Sequence, residues 1–64
     1  MLNYGPLWET MAKKNISQYY LIKNGIDNKV IYKLKRNDNI TALTMEKLCR
    51  IIGCEPSDII KFTE

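Results

Sequence analysis

Residues 17–36 read SQYYLIKNGIDNKVIYKLKR and leave the backbone few choices. Ser17 is a helix N-cap, a side chain whose oxygen accepts an otherwise orphaned amide. The helix that it starts, Gln18 to Asn24, has Leu21 and Ile22 as its inward pair. Gly25 supplies a left-handed turn residue, a conformation that other residues adopt only at a cost. Asp27 then caps the next helix, over about Asn28 to Arg36. Two helices joined by so short a glycine-containing turn cross steeply, and the remaining chain has to fold around that corner.

In the second of these helices Val30, Ile31 and Leu34 lie at i, i+1 and i+4, which makes one apolar stripe. The other side carries Asn28, Lys29, Tyr32, Lys33 and Arg36, with no acidic group among them. A greasy side seats the helix; a basic side faces a polyanion. In the helix-turn-helix arrangement the second helix enters the DNA major groove while the first lies across the phosphate backbone. The groove is wide enough for one helix and offers donors and acceptors to Asn and Lys.

The flanking segments are also helical in pattern. Pro6 suits a first helical position, Leu7, Trp8, Met11 and Ala12 follow at helical spacing, and Asn15 ends that helix. Asn37-Asp38-Asn39 is a turn cluster. Thr41 caps a fourth helix, with Leu43, Met45, Leu48, Ile51 and Ile52 as its apolar side and Gly53 closing it. Glu55-Pro56 starts a short fifth helix with Ile59, Ile60 and Phe62 as its apolar positions. Strand signals are weak, and no strand is assigned, the N-terminal MLNY included. The expected fold is all-α, a compact five-helix bundle in a single domain over residues 1–64, with the motif at about 17–36.

Charge sharpens the functional reading. Residues 13–36 hold seven Lys and Arg against Asp27 alone, whereas both ends of the chain are mildly acidic. That asymmetry favours a polyanion-facing surface in the middle of the chain. Several other classes lack support. There is no His, the two cysteines are five apart rather than in CxxC spacing, and no glycine-rich phosphate loop occurs. Neither an enzyme nor a metal, cofactor or small-molecule site is expected. No apolar run approaches the ~20 residues of a membrane span, and no signal-peptide pattern opens the chain. A reducing cytoplasm with free Cys49 and Cys54 is the expected setting.

At this point the chain resembles a family. From Leu7 through Phe62 it is similar to the Cro- and phage-repressor-like (XRE-type) helix-turn-helix regulators, specifically their small single-domain bacterial members. The resemblance rests on PLWETM at 6–11, ISQYYLI at 16–22, GIDNKVIYKLKRN at 25–37, ITALTMEKLCRIIGC at 40–54 and PSDIIKF at 56–62. It implies sequence-specific binding of double-stranded DNA as a transcriptional regulator, more often a repressor, and usually as a homodimer. Asn28, Lys29 and Lys33 match the family's base-reading positions, and Tyr32 lies among them. Ser17 and Gln18, together with Arg36, Asn37, Asn39 and Thr41 after the recognition helix, match positions that contact phosphates. Ile59, Ile60 and Phe62 form an apolar set near the end of the chain, of which some closes the core and the remainder is a candidate dimer surface. Two features depart from the commonest family pattern: the interval from Gln18 to Gly25 is one residue shorter, and Asp27 stands where Ser or Thr is usual. A second function class stays open on the residues alone. In it the same fold is an antitoxin-like or adaptor module that binds a protein through its apolar C-terminal residues.

Overall fold

The computed structural model describes residues 1–64. Its elements run β1 (Leu2–Asn3), α1 (Gly5–Lys14), α2 (Gln18–Lys23), α3 (Asn28–Lys35), α4 (Ala42–Ile52), a 3-10 turn (Pro56–Asp58) and β2 (Lys61–Phe62). The punctuation in the sequence accounts for the helix ends. Pro6 sits in the first turn of α1, and Asn15 closes it in the left-handed region at φ 60°. Ser17 and Thr41 accept the amides of Tyr20 and Thr44, and Asp27 accepts that of Lys29. Gly53 ends α4 at φ 76°.

The core comprises Tyr4, Leu7, Met11, Leu21, Ile26, Ile31, Leu34, Leu48, Ile52 and Ile59. Every helix contributes to it, and Ile26 anchors the turn between α2 and α3. Two residues assigned inward by helical spacing lie outside. Ile22 is exposed, and Leu43 is 78% exposed at the first turn of α4. A helix this short needs only a narrow stripe inside, and Leu21 fills that role in α2. None of the helices is long and apolar enough to cross a membrane.

Where a fifth helix is expected only the 3-10 turn Pro56–Asp58 forms, so the fold is mostly helical, with four α-helices rather than five and a small two-stranded sheet. After Pro56–Asp58 the chain extends and β2 pairs antiparallel with β1, Leu2 opposite Phe62 and Asn3 opposite Lys61. The carbonyls that a continuing helix would use are engaged elsewhere. Asp58 O accepts the Thr10 hydroxyl at 2.8 Å, and Ile59 O accepts the Leu7 amide at 3.2 Å. A short helix must also repay a costly first turn, whereas the β-branched pair Ile59-Ile60 suits an extended chain. Of the three C-terminal apolar residues, Ile59 is wholly buried in the chain's own core, Ile60 is half-buried and Phe62 is 79% exposed. Ile59 therefore has no surface to offer a partner, which removes it from the candidate dimer surface.

The α2–α3 turn is held from α4. Lys47 Nζ donates to Gly25 O at 2.9 Å. Gly25 lies at φ 104°, and a Cβ there would meet Lys47 Nζ at 3.0 Å. Gly25→Ala therefore strains the backbone and displaces the lysine that fixes the turn. We expect a loss of about 1–2 kcal/mol in urea denaturation, from the left-handed conformation and the displaced Lys47 ammonium together. A variant as stable as the parent would show that the turn relaxes at no cost.

Candidate nucleic-acid interface

The seat of α3 determines what it presents. Ile31 and Leu34 are buried, at 4% and 0% exposure, and Val30 is half-buried. Asn28, Lys29, Tyr32, Lys33, Lys35 and Arg36 consequently all face solvent. Four of them, Lys29, Tyr32, Lys33 and Arg36, line a shallow surface groove. Asn28 lies beside them in the first turn of α3, after the Asp27 cap. Lys35 Nζ stands 6.0 Å from the Tyr32 ring centroid, near the limit of a cation–π contact. This arrangement can set cationic donors and one phenol against an anionic, hydrogen-bonding surface.

The other sequence-derived residues fall into three groups. Asn39 is exposed and unengaged by any protein hydrogen bond from its side chain, while Gln18 is half-buried at the start of α2. Ser17 and Thr41 use their hydroxyl oxygens as helix caps, accepting at 3.1 Å each. Their hydroxyls remain at the surface, Thr41 sharing a 2.9 Å hydrogen bond with Thr44. Arg36 reaches Asp38 at 3.4 Å in an exposed ion pair, so its guanidinium stays available to a stronger anion. Asn37 also has a role inside the fold. Its side-chain oxygen accepts the Tyr4 amide at 2.9 Å, and its backbone is left-handed at φ 56°. That oxygen is tied to the fold, while the residue itself stays exposed at the surface.

Tyr4 itself escaped the sequence reading. It is fully buried, and its hydroxyl donates to Asp38 O at 2.6 Å. Burial, and then the nearby Asp38 charge, raise its pKa above the ordinary tyrosine value, so the phenol keeps the proton that it donates. No local pattern could have found it, because its partners lie 33 and 34 residues away. Lys47 was missed for the same reason.

The family model of the Cro/C1-type helix-turn-helix DNA-binding domain matches residues 6–64. The chain belongs to this family. Its fold is also similar to that in the crystal structure of the transcriptional regulator VanUg (Form II), with a TM-score of 0.87 and 22% identity over 98% of this chain and 87% of that one. At that identity the likeness speaks for the fold alone. No curated protein matches the chain.

The two thiols of this Cro/C1-type domain lie in α4 and just after its end. Cys49 and Cys54 are free and half-buried. Burial, followed by the negative charge of Cys49 and of Asp58, pushes the Cys54 thiol up to about 11. Burial likewise raises Cys49. Only a thiolate is a good nucleophile. Iodoacetamide at pH 8 should therefore alkylate the folded domain several-fold more slowly than the urea-unfolded chain, as mass spectrometry would record. Equal rates would show that the thiols are not held protonated. The linkage has a definite sign. A thiol whose folded pKa exceeds its unfolded value favours folding while protonated, and that contribution is lost as pH rises from about 9 towards 11.

Proposed function

We propose that this Cro/C1-type domain is a transcriptional regulator that reads duplex DNA with α3 in the major groove. The observation that supports this reading best is the groove lined by Lys29, Tyr32, Lys33 and Arg36, on a helix whose opposite side is locked into the core. Asn28, Lys29 and Lys33 are the base readers, with Tyr32 among them. An asparagine pairs most naturally with adenine and a lysine with guanine. Ser17, Gln18, Arg36, Asn39 and Thr41 serve the phosphate backbone, while Asn37 acts from behind by shaping the loop. Repression is the simplest output, because occupying a site that another protein needs suffices for it.

A homodimer follows from the same reading. One short helix spans few base pairs, and paired half-sites one turn of DNA apart, ~34 Å, multiply the affinity. Ile60 and Phe62 are the surface that we assign to it. Thr63 N donates to Met1 O, and the Met1 amine returns a hydrogen bond to Thr63 O. The alternation of an antiparallel ladder then turns the N–H and C=O of Phe62 towards the open edge of β2. Its exposed ring stands at the same place. That exposure also favours a second reading, in which the β2 surface takes up a different protein and the basic α3 face serves solubility.

Fluorescence anisotropy on a pool of duplexes, over a salt series, tests the proposal. A duplex that stays bound at ~150 mM salt, with log affinity falling by about 0.9 per log unit of salt for each phosphate neutralised, supports the regulator. Absence of sequence-selective binding even at low salt would defeat it in favour of the protein-binding module.

A further inference from the structure

The loop after α3 is irregular, yet its path is held from one side by a single residue. Tyr4 offers it two hydrogen bonds, from its backbone amide to Asn37 Oδ1 at 2.9 Å and from its hydroxyl to Asp38 O at 2.6 Å. The Tyr4 side chain has no solvent exposure, so it cannot swing away without opening the core. The loop contributes its own constraints. Asn37 sits at φ 56°, where asparagine is among the few tolerated side chains. Asp38 N donates back to Lys33 O at 2.8 Å, ending α3. Arg36 leaves the helix just before this clamp, and Asn39 and Thr41 follow just after it.

We infer that Tyr4 is a positioning residue for DNA binding, acting through Asn37 and Asp38 to hold Arg36, Asn39 and Thr41 where backbone phosphates pass. The inference rests on the DNA-binding reading proposed above. Its physical content is pre-organisation. A loop ordered in advance does not have to be ordered on binding, so it meets the phosphates at lower entropic cost. A phenylalanine would fill the same core space but leave the Asp38 carbonyl without its donor. Glycine at position 37 would keep the left-handed backbone but leave the Tyr4 amide without its acceptor. The two substitutions break the same clamp from opposite sides.

The test uses a mixed-sequence 30-base-pair duplex, since binding to phosphates does not depend on sequence. Binding is followed from 50 to 200 mM salt for the parent, Tyr4→Phe, Asn37→Gly, Arg36→Gln and Tyr4→Phe/Arg36→Gln, with circular dichroism confirming that each is folded at the assay temperature. Lower stability alone reduces the active fraction and leaves the salt slope unchanged. The expected result is a shallower slope in Tyr4→Phe and in Asn37→Gly, by about 0.9 for each phosphate that the variant no longer neutralises. A several-fold loss of affinity at 50 mM should accompany it. The double variant should lose less than its single variants would together, because Tyr4 acts partly through Arg36. Parental slopes in both Tyr4→Phe and Asn37→Gly would overturn the inference and make Tyr4 a core residue only. If the parent itself shows no salt-dependent binding, the DNA-binding reading fails and the inference fails with it.

Discussion

Lys33→Glu should abolish tight duplex binding while leaving the fold intact. Lys33 is exposed in the middle of α3, between the buried Ile31 and Leu34, and it lines the groove. No hydrogen bond or ion pair within the protein involves its side chain. Glutamate has nearly the same helix propensity as lysine. It would also stand four residues after Lys29, an opposite-charge pair worth a few tenths of a kcal/mol at most. Stability should therefore change by no more than about 0.5 kcal/mol, as for an ordinary surface site. Binding responds very differently. Under the proposed reading, the substitution removes a cationic donor from the base edges and places a carboxylate in the field of the phosphates. Removing one good base-reading hydrogen-bond donor costs ~1–3 kcal/mol, and the like-charge repulsion adds to it. We expect a loss of roughly 100-fold or more in anisotropy titrations, with an unchanged thermal melt. Parental affinity in this variant would show that α3 is not the reading element and would favour the protein-binding module.

Leu34→Ala, one position further on, should do the reverse. Leu34 has no solvent exposure and seats α3 on the core. Truncating a buried leucine costs ~2–5 kcal/mol, part of it from the cavity left behind. A domain of this size has a total stability of only about 3–10 kcal/mol, so a single truncation removes a large share of it. Each kcal/mol shifts the melting temperature of so small a domain by roughly 4–8 °C. The expected result is a melting temperature lower by about 10–25 °C, and a partly unfolded protein at 37 °C. A drop of under about 5 °C would mean that α3 is not anchored through Leu34. Together the two variants separate the two faces of the same helix, one in stability and one in affinity.

What could be read from the sequence was local. Ser17, Gly25, Asp27, Thr41 and Gly53 act on their immediate neighbours, and the helices begin and end as those residues dictate. The α3 stripe was legible for the same reason, since Ile31 and Leu34 are one turn apart. The misreadings occur where a distant segment decides. Ile59 to Phe62 have an apolar pattern that suits a helix, but α1 takes up the carbonyls of Asp58 and Ile59, and β1 claims the strand. Asn37 is the exposed turn residue that the sequence suggests, but the hydrogen bond that its side-chain oxygen accepts from Tyr4, at the other end of the chain, was not legible there. Leu43 follows the helical period of α4, yet that helix lies over its neighbours along a narrower strip than the period allows.

The pairing of β1 with β2 joins residues about 60 apart, so it closes a loop that contains all four helices. Loop closure carries an entropic cost that is met only after the intervening chain is compact. The helices and their turns can form from near neighbours, whereas this ladder has to wait for them. We therefore expect it to be the last pairing to form in folding and the first to open in local fluctuations. Amide hydrogens at residues 2–3 and 61–63 should exchange with solvent far faster than those of Leu34 or Leu48, and the slowest-exchanging amides would outline the helical nucleus.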